Sequence, residues 1–283
     1  MYQSNPPLSP KETLPTMYDL PSEDPEEPGG SDEFHLLQPE LLRLTFRPPS
    51  YPSDQVFTAS DLNLYYDVHH TQWYKRPDWF AVLGVSRLYE EKDLRLSYVT
   101  WQEGANPFVV VELLSPGTEK EDLGQTPLTS PLIGRNERVQ PPNKWTVYEQ
   151  ILRIPYYFVF NRYTNEFRAF ELQGSRYQRV LIEEQGVWLE EAQLGLGLWE
   201  GEYQGISRLW LRWYDQNQNW ILTPTEQEAQ RAEQATQQAQ QEAQRAEQAT
   251  QQAQQEAQRA ERATQRAERL AEQLRALGID PEA

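Results

Sequence analysis

The 283-residue sequence predicts an α/β (α+β) domain: a mixed β-sheet core flanked by helices, with a long C-terminal helix. Three observations predict it. One amphipathic helical stripe falls between branched and aromatic runs of strand length. Several of those runs meet at hairpin-type turns. The C-terminal segment repeats with a period of 14. A helix between strands, together with hairpins, marks a mixed sheet.

All 9 Trp, 12 of the 15 Tyr and 7 of the 9 Phe lie in residues 53–223, so one aromatic core is expected there. A segment of that length can bury most of its apolar surface. Residues 1–52 read as an acidic, Pro-rich arm, disordered to about residue 33, because PSEDPEEPGGSDE offers too little apolar surface to offset its ordering entropy. HLLQPELLRLTF (35–46) is the first stretch with anchoring side chains and packs on the domain. FTASDLNLYYDVHH suits either a capped helix or a strand. WFAVLGV (79–85) and LRLSYVTW (94–101) read as strands. NPFVVVELLSP (106–116) has the nearly continuous apolar pattern of a strand buried on both faces.

Residues 117–142 read as a long loop. KWTVYEQILRI (144–154) carries a helical stripe that starts near Asn143 and stops before Pro155. PYYFVFNR and EFRAFELQGSRYQRVLI follow as strands, the latter pair turning at Gly174-Ser175. GVWLEEAQLGLGLWEGEYQG reads as a looser section, and SRLWLRWYD with NWILT as a last hairpin around QNQN.

Residues 224–283 form an Ala/Gln/Glu/Arg helical tail. EAQRAEQATQQAQQ begins at Glu228, repeats at Glu242 and returns from Glu256 with three Arg replacements. Its alanines advance by 3.5 residues on average, which keeps them in one seam of a left-handed coiled coil. Each seam methyl is worth under about 1 kcal/mol, so the coil is weak until Leu270, Leu274 and Leu277. Gly278 and Pro281 fit its end. A homo-oligomer through residues 228–277 is expected; a solvated single helix sustained by propensity is the alternative.

The formal charge of −17 is spread over arm, core and tail, and no segment is basic. That counts against a high-affinity, sequence-blind DNA coat, which normally offers a cationic face, and leaves open an enzyme that touches phosphates locally. Zero cysteines exclude disulfides, thiolate zinc sites and a Cys nucleophile. With no signal-like start and no long apolar run, a cytoplasmic protein without membrane contact is expected. No P-loop, Rossmann glycine fingerprint or G-x-S-x-G elbow supports another phosphate chemistry.

Glu112 stands out because a carboxylate in a buried strand needs a cation or hydrogen bonds to offset desolvation. A bound metal, a buried Arg or backbone donors would each serve. Asp78, in KRPDWF, stands at the mouth of its strand, and Lys144 in the first turn of its helix. His69-His70 suggests a metal pair, yet adjacent strand residues point to opposite faces.

The stretches KRPDWFAVLGV, PFVVVELLSPGTEKEDLG, KWTVYEQILRIPYYFVF and LGLGLWEGEYQGISRLWLRWYD resemble the Uma-type family of the PD-(D/E)XK nuclease superfamily over roughly residues 55–283. The resemblance implies a restriction-endonuclease-like core in which Asp78 and Glu112 coordinate Mg²⁺ (or Mn²⁺) and Lys144 supplies an ammonium, for hydrolysis of DNA, bound weakly without metal. The parent motif puts Lys two residues after Glu; here that place is Leu114. The resemblance implies a lysine relocated to a helix, a place that Lys144 fits by its K-x-x-x-Y context, with Lys120 as the fallback donor. A catalytically inactive nuclease fold, used for binding or assembly through the tail, is the competing expectation.

Overall fold

A computed structural model of the chain describes residues 32–115, 119–125 and 140–276. The expected disorder of the arm, most of the long loop and the proposed helix stop at Leu277, Gly278 and Pro281 lie outside the described residues. The chain divides into two units, Met1–Thr223 and Pro224–Ala283.

The described strands are β1 (Val56–Ala59), β2 (Leu64–Tyr65), β3 (Tyr74–Lys75), β4 (Trp79–Leu83), β5 (Tyr98–Val99), β6 (Val109–Leu113), β7 (Tyr156–Asn161), β8 (Glu166–Gln173), β9 (Arg176–Val180), β10 (Val187–Leu189), β11 (Leu194–Tyr203) and β12 (Ile206–Tyr214). The helices are α1 (Glu33–Thr45), α2 (Thr100–Glu103), α3 (Glu119–Asp122), α4 (Lys144–Thr146), which continues as a π-helical turn over Val147–Ile151, and α5 (Pro224–Ala276). The fold is therefore α+β with mixed sheets.

The main sheet has the order β1-β4-β6-β7-β8-β9, with β6 and β7 parallel and the other neighbours antiparallel. A parallel neighbour needs a crossover, and here it carries α3 and α4. All of β6 is buried, so alternate residues feed two cores. Val109, Val111 and Leu113 pack with Trp79, Phe158, α1 and the β10-β11-β12 sheet. Val110 and Leu114 pack with Phe80, Val147, Tyr148 and Tyr157 on the crossover side. Helix α1 joins the first core through Phe34, Leu41 and Leu42, each worth about 1.5–3 kcal/mol on full burial. Asp32 caps it by accepting from the His35 N–H at 3.0 Å.

Three expectations are corrected. Strand 94–101 shrinks to Tyr98–Val99, because Leu94 and Leu96 face solvent and offer no apolar face to a sheet. The looser section is instead β10 and the ten-residue β11. Its glycines are a packing requirement: a Cβ on Gly195 would lie 1.9 Å from the Tyr214 ring, and one on Gly197 the same distance from Gln185 O. The last hairpin is reduced to a single bridge, Tyr214 to Trp220.

In the second unit α5 runs 53 residues with every described side chain at least partly exposed. The 14-residue repeat is visible in its bonds. Thr236, Thr250 and Thr264 hydroxyls donate to the carbonyls four residues earlier, and Gln237, Gln251 and Gln265 donate to Glu233, Glu247 and Glu261. Among the described residues no helix is long and apolar enough to cross a membrane.

Candidate active site

The register of β4 against β6 builds the site. Trp79 pairs with Val111, so one step further Asp78 stands opposite Glu112, and side chains directly opposite share a face. That face is the one covered by the crossover. Two carboxylates so placed repel, and the structure answers with donors. The Leu113 N–H donates to Asp78 Oδ2 at 2.6 Å, and the Asp78 N–H to Glu112 Oε2 at 3.3 Å.

The crossover helix supplies the rest. Asn143 caps α4, its side chain accepting from the Thr146 N–H at 2.8 Å. Lys144 in the first turn and Tyr148 four residues on then lie on one helix face. Lys144 Nζ donates to Glu112 Oε2 at 3.0 Å, and the Tyr148 hydroxyl donates to Glu112 Oε1 at 2.8 Å. The helix widens to a π turn here, a feature frequent at functional sites.

Asp78, Glu112 and Lys144 are thus brought together. Lys120 is exposed on α3 and does not pair with Glu112. Nor do His69 and His70 belong to the site: they sit in a turn rather than on a strand, where His70 bonds Asp67 at 2.7 Å and stacks on Trp73.

Four neighbours had no role assigned to them in the sequence reading. Asp122 is fully buried, with Oδ1 2.9 Å from Lys144 Nζ. That contact is an ion pair, and Asp122 Oδ2 has no hydrogen-bond partner among the described residues. Glu121 accepts from the Lys144 N–H at 3.2 Å and from Lys75 Nζ at 2.8 Å. Tyr148 holds Glu112, as described. His35 bonds the Leu113 carbonyl through Nε2 at 3.1 Å and Asp32 through Nδ1 at 2.8 Å. Both its partners are acceptors, which the imidazolium alone satisfies.

Proton affinities follow from this crowding. Burial pushes the Glu112 carboxyl well above the ordinary range, Lys144 opposes it, and Asp122 and Asp78 reinforce it. Asp78 is raised in the same way, mainly by burial and against Lys144 and His35. For Lys144 burial acts downward, but Asp122, Glu112 and Asp78 together hold it well above the usual lysine value, so it is an ammonium at neutral pH. His35 is raised because Asp78 and Asp32 outweigh its burial.

A family model described as "Uma2: Putative restriction endonuclease" matches residues 12–207. The chain belongs to the Uma2 family. One solved structure that the chain is similar to is "a putative nuclease belonging to DUF820 from Anabaena variabilis ATCC 29413", at 8% identity and a TM-score of 0.38, over 58% of this chain and 74% of that one. No curated protein matches the chain.

Restriction-endonuclease-like families such as Uma2 generally use divalent metals, and the donors present fit a hard cation. Asp78, Glu112 and Asp122 offer carboxylate oxygen, and among the described residues Asp122 Oδ2 has no hydrogen-bond donor. Three carboxylates facing one ammonium leave room for positive charge. Among the described residues no group of three or more acidic, His or Cys side chains is arranged to hold a metal ion. Mg²⁺ does not require one, since it is commonly held by one or two carboxylates with waters and substrate phosphate.

Proposed function

We propose that this protein is a Mg²⁺-dependent endonuclease that hydrolyses DNA phosphodiester bonds, with Asp78 and Glu112 as metal ligands and Lys144 as the catalytic ammonium. The observation that carries the reading is the placement of Lys144 Nζ 3.0 Å from Glu112, directly across the sheet from Asp78. Bound by these carboxylates, Mg²⁺ supplies Lewis acidity toward a phosphodiester.

The chain's own groups divide the remaining work. Lys144, kept protonated by Asp122, Glu112 and Asp78, stabilises negative charge gathering on the phosphate. Tyr148 fixes the rotation of Glu112 through Oε1. The Leu113 N–H fixes Asp78, and His35, on the Leu113 carbonyl, ties that residue to α1. We also assign α5 the role of joining copies of the chain through its alanine seam, in a protein of the cytoplasm.

A second reading, a catalytically inactive fold used for binding or assembly, is favoured by one observation. Lys144 is already engaged by both Glu112 and Asp122. Calorimetric titration with Mn²⁺ and Mg²⁺ separates the two. The nuclease reading predicts a binding heat that disappears in Asp78→Ala, and the absence of any metal-binding heat in the wild type would favour the inactive fold.

A further inference from the structure

The net charge of −17 leaves unexplained how a nuclease would hold an anionic substrate. One region is built against that trend. A groove of about 890 Å³ runs along β1, lined by Arg43, Arg47, Arg87 and Arg95 and also by Asp54. Arg95 is neutralised by Glu103, at 2.7 Å and 2.8 Å, and lies over the Phe57 ring. The other three are exposed, and among the described residues none of them pairs with a carboxylate. The Arg47 guanidinium donates only to main-chain carbonyls, those of Arg43 and Phe46. Partial burial of its guanidinium and the nearby Arg43 charge both press on its proton.

The floor of the groove is an open sheet edge, because β1 is the last strand of its sheet. The Gly84 N–H donates to Gln55 O at 2.9 Å, and by antiparallel alternation the amides of Val56 and Thr58 then face outward. Guanidinium and amide N–H groups are the donors that phosphate oxygens accept. The groove also points at the site. Ser60 is among its lining, the Asp61 N–H donates to Pro77 O at 3.0 Å, and Ala59 pairs with Phe80, two residues or about 7 Å of strand from Asp78.

We infer that this groove holds the phosphodiester backbone of duplex DNA, with Arg43, Arg47 and Arg87 pairing with successive phosphates and β1 leading the strand to Asp78 and Glu112. The inference rests on the nuclease reading and adds the surface that positions its substrate. It also places DNA binding on the sheet edge and α1, away from the residues assigned to metal and catalysis.

The test is fluorescence anisotropy of the full chain with a short labelled duplex, with Ca²⁺ as the added cation, over a series of salt concentrations. The combined variant Arg43→Ala, Arg47→Ala, Arg87→Ala is expected to weaken binding by about tenfold or more. The slope of log K against log salt should shrink by about 2.7, at roughly 0.9 per phosphate contact. Lysine at all three positions should keep the slope. Arg87→Ala alone, an exposed change that leaves the fold intact, should remove about one third of the slope difference. Wild-type affinity and slope in the triple alanine variant would overturn the groove while leaving the nuclease reading standing. A wild-type chain that binds no duplex at any salt would remove both. Tighter binding of polyglutamate than of duplex would overturn the inference in favour of an acidic protein partner.

Discussion

Lys144 reaches Glu112 from a helix 32 residues further along the chain, and its ammonium sits between Glu112 Oε2 at 3.0 Å and Asp122 Oδ1 at 2.9 Å. One cation from the crossover therefore balances carboxylates contributed by the central strand β6 and by α3. The arrangement couples stability to chemistry, because the group assigned to the phosphate also keeps the carboxylates folded together.

Lys144→Met should accordingly destabilise the protein by about 3–5 kcal/mol, the usual result of leaving a buried charge without its partner. Urea unfolding followed by tryptophan fluorescence measures it. Adding Asp122→Asn to Lys144→Met should recover part of the loss, and equal effects of Asp122→Asn in both backgrounds would show that the two side chains are not coupled.

Tyr148→Phe keeps the ring in the crossover core and removes only the bond to Glu112 Oε1. The cost expected for an unsatisfied buried carboxylate oxygen is about 1–3 kcal/mol. An unchanged thermal midpoint would contradict the assignment of Tyr148 as the group that fixes Glu112.

Glu149 provides a pH test on a carboxylate that is not one of the proposed metal ligands. Its carboxylate accepts from the Tyr177 N–H at 2.8 Å, Arg176 Nη1 at 2.9 Å and Gln150 Nε2 at 3.1 Å. Burial raises its proton affinity, but these bonds prevail and hold it below the ordinary value of 4.5. A folded-state pKa below the unfolded one contributes stability above the unfolded pKa, and that contribution is lost as pH falls through the folded pKa. The wild type should therefore exceed Glu149→Gln in urea midpoint at neutral pH, and the gap should close progressively below about pH 4.5. A gap that widens in acid would contradict this.

For the tail, sedimentation of the full chain should give a multiple of the 33.2 kDa monomer. Ala239→Glu, Ala246→Glu and Ala253→Glu together place charge in the seam and should return the mass to one chain. A monomeric wild type would remove the coiled-coil assignment.

Much of the core was legible because burial and period coincide in it. The VVV run before Glu112 could only be an interior strand, and Asn143 before an apolar stripe marked the helix that carries Lys144. Other features were hidden for identifiable reasons. Asp122 lies within Glu-Lys-Glu-Asp, where nothing local says which carboxylate turns inward; its burial is decided by α3 packing under Tyr157, whose hydroxyl donates to the Asp122 carbonyl at 2.8 Å. His35 reaches the site through a contact 78 residues away, beyond any local pattern. The glycines of β11 imitate a loop, although the Tyr214 ring and the Gln185 carbonyl occupy the space that side chains there would need. The opposition of Asp78 and Glu112 depends on strand register, which neither strand specifies alone.

The central claim is that Asp78, Glu112 and Lys144 form a metal-dependent phosphodiesterase site. Conversion of supercoiled plasmid to open circles by the full chain, with and without Mg²⁺ or Mn²⁺, tests it most directly. The expected result is metal-dependent nicking that falls about 100-fold or more when the charge-stabilising Lys144 is replaced by Met, and that is abolished in Asp78→Ala and Glu112→Ala. No nicking with either metal, or undiminished nicking in Glu112→Ala, would contradict it.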